Sequence, residues 1–418
     1  MPAPLHLALM KTSHKQRASA TRRGLIRRLL AILAWLTIAL SVVLVVLLNW
    51  PLPDMPRPGL TGDFVVRNVA IVDVVNDRIV PGRDVVVRNG RIDSIGASLP
   101  EIGQRGLVVV DGTGKFLIPG LWDMHVHSLK MSPQYTHPLS IAKGITGVRE
   151  MWGCPSLADS FVACGDDIER WRAELQDHSR LAPRYIMRSS FAINGEQGVP
   201  SAAPAFFKAR NADEAQALVA HHAADGVELL KTYTNVSVAA YGALASEASR
   251  RGLLVAGHLP VRVPLGVALA AGQHSVEHPR IFLFECYRGA AGFRALPDPM
   301  AAYTADMRLR FIDEHDPVRC AELMAAMAAS DTWWTPTLQV LRMSAQAGKR
   351  EFREDPRRRY IPFILWAGLW QPDADRAVAH GRHASGRDVD AELYRLAMDN
   401  VRRAHEAGVR IVAGTDAG

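Results

Sequence analysis

The chain has 418 residues, of which 48% are hydrophobic and 22% are charged. This composition supports a large folded core and argues against a disordered protein. The formal net charge of +7 comes from residues 1–28, because the rest of the chain carries 42 basic and 42 acidic residues. A nucleic-acid-binding domain usually has a basic folded surface, so we expect no nucleic-acid partner. The basic residues of this tail are Lys11, Lys15, Arg17, Arg22, Arg23, Arg27 and Arg28.

An uncharged apolar segment follows the tail. Residues 29–50 are predicted to form one transmembrane anchor, because about 20 apolar residues span a bilayer as a helix. The alternatives are a cleaved signal peptide, whose apolar region is usually shorter, and a buried helix. Basic residues before the span favour a cytoplasmic N-terminus, so we expect the domain after the span to be periplasmic or extracellular. Residues 51–62 are predicted to be a proline-rich linker.

The chain contains four cysteines, and we expect their domain to lie in an oxidising compartment if it is outside the cytoplasm. There they could form two bridges, Cys154–Cys164 and Cys286–Cys320, and the alternative is four independent thiols. Their spacing does not match that of a zinc knuckle.

Residues 63–118 are rich in β-branched runs that are broken by turn residues, as in DFVVRNVAIVDVV and GLVVVDGTG. The Asn89-Gly90 dipeptide lies between two alternating runs, which is a strong hairpin signal. This part of the chain is predicted to be a small antiparallel β domain.

Residues 119–418 alternate short apolar strands with helical patterns. Eight such strands fit a (β/α)8 barrel, whose active site lies at the carboxyl ends of the strands. The overall fold class is therefore predicted to be α/β. The predicted strands lie in LIPGLWDMHVH, GITGVREM, RYIMRSS, GVELLKTY, GLLVAGH, HSVEH, WWTPTLQV and GVRIVAGTD.

Polar residues at the ends of these strands are the candidate site. Residues i and i+2 of a strand face the same side, so His125 and His127 point together into the barrel mouth. A single histidine in such a place is more often an ordinary core or surface residue. Several potential ligands at successive strand ends indicate a metal site instead. The other members of the set are Lys231, His258, His278 and Asp416.

The segments IPGLWDMHVHS, GVELLKTY, VAGHLP, HSVEHP and GTDAG resemble signature segments of the amidohydrolase superfamily, in its prolidase-like and imidazolonepropionase-like branch. The resemblance covers residues 63–418. It implies that the early β domain is a small composite β-sandwich. It also implies a site for two metals, commonly Zn²⁺, that are bridged by a carbamylated Lys231. His125, His127, Lys231 and Asp416 would bind one metal, and Lys231, His258 and His278 the other.

The resemblance further implies hydrolysis of a C–N bond by a hydroxide that bridges the metals, with Asp416 as general base and then acid. Arg149 and Tyr233 are predicted to contact the substrate, although Arg149 could instead form a surface ion pair with Glu150. Zinc deaminases use a catalytic Glu that is not a metal ligand. In this superfamily it lies a few residues after the strand-five histidine, and HLPV at His258 contains none.

The leading substrate is a dipeptide or an N-acyl amino acid, and the alternatives are a cyclic amide, an ester or a lactone. Family members normally continue well beyond GTDAG, so we expect the chain to be a fragment. A truncated, non-catalytic barrel that serves as a binding or scaffold protein is the alternative of another class. The sequence leaves a homo-oligomer open.

Overall fold

The computed structural model describes residues 26–45, 62–99, 107–154, 159, 161–195 and 208–417. The chain divides into two compact units, Met1–Asp54 and Met55–Gly418. Residues 1–25 of the basic tail and residues 51–61 of the linker lie outside the described residues, whereas Arg27 and Arg28 belong to a helix. In the first unit, helix α1 (Ile26–Val45) is 20 residues long, apolar and fully exposed. By length and composition it could cross a membrane, and a signal sequence would pass the same test.

The β-rich segment forms one five-stranded sheet of β1 (Phe64–Asp73), β2 (Arg78–Arg88), β3 (Arg91–Gly96), β4 (Val108–Asp111) and β5 (Phe116–Leu117). Strands β1, β2 and β3 pair antiparallel, but β4 and β5 run parallel to β1. The predicted antiparallel domain is therefore a mixed sheet, because β4 and β5 return to β1 without a hairpin.

The predicted hairpin at Asn89-Gly90 is confirmed. Both residues have positive φ, 49° and 71°, and they connect β2 to β3. Two successive residues with positive φ match the twist of the flanking strands in a two-residue turn.

The rest of the second unit contains two parallel sheets. The first has the order β6-β7-β8 and the second the order β12-β11-β10-β9. Their strands are the first seven that the sequence predicts. They are β6 (Leu121–Val126), β7 (Ile145–Glu150), β8 (Arg184–Arg188), β9 (Leu229–Thr232), β10 (Leu254–Gly257), β11 (Ser275–Glu277) and β12 (Trp333–Thr335).

Isolated parallel bridges link the two sheets. Ser189 pairs with Leu229, between β8 and β9. On the other side, Ile411 pairs with Trp334 of β12, and Ala417 pairs with Val126 of β6. Backbone strand pairing is therefore continuous from β6 to β12. It continues from β12 to residues 410–417, which pair in turn with β6. We call these eight segments the strand ring.

The eighth predicted strand is present as this extended segment rather than as a regular strand. Asp416 has a φ of 60°, which interrupts the extended backbone. Gly414 passes so close to its neighbours that a Cβ there would lie 2.5 Å from Cγ2 of Thr335 and 2.9 Å from Cβ of His125. Only glycine allows this approach.

Helices follow most of these strands. Those that come before β11 are α2 (Thr136–Ala142), α3 (Gly165–Gln176), α4 (Ala212–Ala224), α5 (Val238–Arg250) and α6 (Leu265–Ala270). The two longest connections, from β11 to β12 and from β12 to residues 410–417, are largely helical. They contain α7 (Arg280–Glu285), α8 (Ala290–Arg294), α9 (Ala305–Asp313), α10 (Pro317–Ala328), α11 (Leu338–Gln346), α12 (Arg350–Arg353), α13 (Phe363–Leu365), α14 (Gln371–Gly381) and α15 (Val389–Glu406).

Several helices begin at a residue whose side-chain oxygen accepts a hydrogen bond from the first turn. These residues are Asn211, Ser237, Thr304, Asp316 and Asp388. Such a cap satisfies a backbone N–H that lacks a partner within the helix and stabilises it by about 1 kcal/mol.

Two apolar clusters support the strand ring. One joins β9 and β10 to α4 and α5, with Leu230 and Tyr241 fully buried. The other surrounds Trp334, whose ring centroid lies 4.9 Å from that of Phe282. Both pairs of cysteines are disulfide-bonded, as one reading of the sequence predicted, and Cys286–Cys320 lies within the second cluster.

We predict that Trp334→Phe destabilises the fold by about 1–3 kcal/mol, because Nε1 of Trp334 donates a 2.9 Å hydrogen bond to the buried carbonyl of His278. The neighbouring Trp333 is 37% exposed, so Trp333→Phe should change stability by less than about 0.5 kcal/mol. Urea unfolding measures both values. Equal stabilities of the two variants would contradict the prediction.

Candidate metal centre

The predicted ligands converge at the carboxyl ends of the strand ring. His125 Nε2 and His127 Nε2 lie 3.3 Å apart, and each lies 3.1 Å from Oδ1 of Asp416. Lys231 Nζ lies 3.4 Å from His127 Nε2. His278 joins the group, since its ligand atom lies within 4.8 Å of those of His125 and Asp416.

His258 stands beside His278 on the next strand, and their ring centroids are 4.5 Å apart. Thr234 Oγ1 lies 2.9 Å from Nδ1 of His258, and Thr337 Oγ1 lies 2.8 Å from Nδ1 of His278. Each hydroxyl contacts the Nδ1 atom of its histidine, and Nδ1 of His278 also lies 3.7 Å from Oδ2 of Asp416. Fixing one ring nitrogen in this way is how proteins orient a metal-binding imidazole.

The geometry fits a bound metal. Oδ1 of Asp416 is buried and accepts no hydrogen bond, although buried polar atoms normally have a partner. Tetrahedral ligands at 2.0–2.1 Å from zinc lie roughly 3.3 Å from one another. The separations among Asp416, His125 and His127 match this spacing. Imidazole and carboxylate are also the ligand types that zinc takes.

The electrostatics keep most of these groups in the form that binds a metal. Burial lowers the pKa of His127 and His258 well below its usual value, and burial with the nearby His125 lowers the pKa of His278 to about 3. These imidazoles are neutral at pH 7. Burial also lowers the pKa of Lys231, although Asp416 opposes the shift.

His125 is oriented by a buried ion pair. Its Nδ1 lies 2.8 Å from Oε2 of Glu277, whose other oxygen accepts a 2.7 Å hydrogen bond from Nη2 of Arg149. Arg149 also donates to the backbone oxygen of Met124 and to Oγ of Ser275. The guanidinium therefore lies inside the strand ring beneath the ligands, neither on the surface nor paired with the adjacent Glu150.

Hydrogen bonds to Asp123 of β6 hold residues 410–417, the last segment of the strand ring, against that strand. One of its oxygens accepts hydrogen bonds from the backbone N–H of His125, at 3.2 Å, and of Thr415, at 2.9 Å. The other accepts the Thr415 hydroxyl at 2.6 Å. Asp416 N donates to the carbonyl of His125 at 2.8 Å. These bonds hold Asp416 against His125.

The ligands open onto a cavity of about 230 Å³, which is also lined by Trp152, Tyr233 and Arg280. The Trp152 ring lies 4.3 Å from that of His127, and the Tyr233 ring lies 4.2 Å from that of His258. Tyr233 therefore stands where a substrate could reach it. Arg149 is not among the residues that line the cavity.

No protein-family model matches the chain. The chain is 40% identical to "Adenine deaminase 3" of Rhizobium meliloti (strain 1021) over 76 residues, which is 18% of this chain and 13% of the relative. It is 39% identical to "Dihydroorotase" of Carboxydothermus hydrogenoformans (strain Z-2901) over 96 residues, 21% of each chain. The matches thus span about a fifth or less of these relatives.

Among solved structures, bottromycin amidohydrolase matches with a TM-score of 0.59 and 21% identity, over 85% of this chain and 68% of that one. A putative prolidase from Bifidobacterium longum matches with a TM-score of 0.50 and 20% identity, over 85% and 74%. The mixed α/β fold is that of amidohydrolases. These comparisons confirm the resemblance to the amidohydrolase superfamily.

The sequence predicted the six residues that surround the candidate site but not those that orient them. Glu277 is the clearest omission, since it immediately precedes His278 in HSVEH. A carboxylate at an inward position of a buried strand signals a buried partner. Thr234 and Thr337 gave no such signal, because a threonine in a loop is common.

We predict that Thr337→Val weakens zinc binding about tenfold, because Nδ1 of His278 loses its hydroxyl partner. Valine is also β-branched, so the change keeps the side-chain shape. Chelator competition measures the affinity. Thr332→Val is the matched control, since Thr332 loses a 2.7 Å bond to Gln273 O at the other end of β12. Equal zinc affinities of the two variants would contradict the prediction.

Proposed function

We propose that this chain is a metal-dependent amidohydrolase, built on a (β/α)8 barrel, that hydrolyses a C–N bond of a small amide. The observation that carries the proposal is the approach of His125, His127 and Asp416 to within 3.1–3.3 Å at the carboxyl ends of the strand ring. The potential ligand atoms of these three residues therefore face one point, and no hydrogen-bond donor satisfies Oδ1 of Asp416.

The residues fit two divalent ions, with zinc as the first choice. When bound, such ions lower the pKa of a water molecule and polarise the substrate carbonyl. Lys231 would bridge them as a carbamate, and its lowered pKa favours the neutral amine that carbamylation requires. The first ion would be held by His125, His127, Lys231 and Asp416, and the second by Lys231, His258 and His278.

Asp416 has the position of the general base. Burial raises the pKa of its carboxyl, but the adjacent His125, together with His278 and His127, outweighs burial and lowers it, so the group is ionised at pH 7. Its carboxylate can accept the proton of the attacking water and pass it to the leaving nitrogen. Tyr233, at the cavity wall, would contact the substrate beside His258.

A dipeptide or an N-acyl amino acid is the proposed substrate, supported by the similarity in fold to the putative prolidase. A cyclic amide is the second candidate, because the chain matches a dihydroorotase at 39% identity over 96 residues. Deamination is less favoured despite the adenine deaminase match, since residues 259–262 after His258 read LPVR and offer no glutamate. An ester or a lactone would suit the same metals.

We predict that Asp416→Asn lowers kcat at least about 100-fold, because general acid–base catalysis contributes 10²–10⁴-fold. Turnover of N-acyl amino acids and dipeptides measures this, with circular dichroism to confirm folding. Asp331→Asn is the control, since that side chain is fully exposed. A folded wild type that retains zinc but turns over no amide or ester would instead favour the non-catalytic scaffold.

We also propose where the protein lies in the cell. Helix α1 would anchor the protein in a membrane, with the basic residues of the N-terminal end, five before α1 and Arg27 and Arg28 in its first turn, on the cytoplasmic side and the second unit outside. The two disulfides support an oxidising compartment.

We predict that a β-lactamase fused after residue 418 gives ampicillin resistance in a Gram-negative host, because the second unit is exported. A fusion that lacks residues 26–45 should give none. Colony counts on ampicillin measure both. Sensitivity of cells that hold the intact fusion in their membrane fraction would contradict the orientation.

A further inference from the structure

Arg280 stands at the mouth of the metal centre. It comes two residues after His278, opens α7 and is partly buried. It lines the same cavity as Lys231, His278 and Asp416. A side chain in this place lies within reach of any molecule that occupies the cavity.

The charge of Arg280 is uncompensated within the part of the chain that the structure describes. No carboxylate lies within 4 Å of its guanidinium, and no hydrogen bond to it is formed there. The other arginine of the cavity differs, because Arg308 pairs with Asp390 and donates to the backbone oxygen of His380. Lys231, which also lines the cavity, is proposed above to bridge the two metal ions. The cavity therefore presents one unpaired guanidinium beside the ligands.

An unpaired, partly buried cation is unfavourable unless a counter-charge reaches it. The guanidinium fork matches a carboxylate with two parallel hydrogen bonds, which makes arginine the usual residue for this group. Bound divalent ions would add positive charge to the same cavity and would attract an anion further. The field of the cavity thus favours a substrate with a negative group.

The remaining lining is partly apolar. Val340, Leu341 and Leu393 face the same cavity, together with the aromatic rings of Trp152 and Tyr303. An apolar side chain of the substrate would lose its contact with water against these residues, at about 25 cal/mol per Å² of buried surface. The cavity therefore combines a cation with an apolar wall.

We propose that Arg280 binds the free carboxylate of the substrate, and that the substrate is an amide whose amine portion carries this carboxylate and an apolar side chain. This inference rests on the proposed function and narrows it, because amides of neutral amines would lack the group that Arg280 recognises. Arg280 is assigned as a specificity-determining residue and not as a residue that moves protons.

The test uses two molecules that contain no amide, so binding is measured without turnover. L-leucine and L-leucinol differ only in the carboxylate, which leucinol replaces by a hydroxymethyl group. Isothermal titration calorimetry gives both Kd values for the full zinc-loaded chain in detergent, for Arg280→Met and for Arg280→Lys. Arg350→Met is the matched control, because Arg350 is 85% exposed and pairs with Glu354.

We expect wild type and Arg350→Met to bind L-leucine at least tenfold more tightly than L-leucinol. Arg280→Met should reduce this ratio to less than twofold, and Arg280→Lys should keep an intermediate ratio. Melting curves establish that each variant is folded. Equal Kd values in the wild type, binding of neither molecule, or a ratio that survives in folded Arg280→Met would overturn the inference.

Hydrolysis of N-acetyl-L-leucine is measured separately. An Arg280-dependent preference for L-leucine in a chain without hydrolytic activity would support this inference and reject the proposed function. Hydrolysis of N-acetyl-L-leucine without an Arg280-dependent preference for L-leucine would support the proposed function and reject this inference.

Discussion

The ion pair between Arg149 and Glu277 is the interaction on which the site depends. It joins β7 to β11 inside the strand ring, and the free oxygen of Glu277 fixes His125. Burial raises the pKa of the Glu277 carboxyl, but Arg149 and His125 lower it more strongly, so it stays ionised. A buried ion pair seldom adds net stability, since desolvation offsets the attraction. Its contribution here is the orientation of an imidazole.

Strained backbone surrounds the same ligands. His278, Thr337 and Asp416 have φ of 74°, 36° and 60°, although none is glycine. Such conformations cost about 1–3 kcal/mol each and persist where surrounding contacts determine them. The contacts are visible, because Thr337 bonds to His278 and the backbone of Asp416 donates to His125. The fold therefore accepts local strain where it directs ligand atoms toward one point.

The sequence could predict that the candidate ligands lie together because each follows an apolar run, and the carboxyl ends of parallel strands meet on one side of a sheet. It did not predict Glu277, Asp123 or Thr337 as orienting residues, because their partners lie on distant strands. Arg149 was predicted to contact substrate, but its guanidinium is buried and hydrogen-bonded to Ser275 and Glu277 of β11. The irregular eighth segment depends on the bonds of Thr415, which no local pattern reveals.

The most direct test of this account is the metal content of the purified chain, grown with zinc and bicarbonate and measured by elemental analysis. The account predicts about two ions per chain in the wild type and in Lys349→Ala, whose side chain is exposed. It predicts a sharp fall in folded Lys231→Ala, because the bridging group is lost. A folded wild type without tightly held metal, or a Lys231→Ala variant with full metal content, would contradict it.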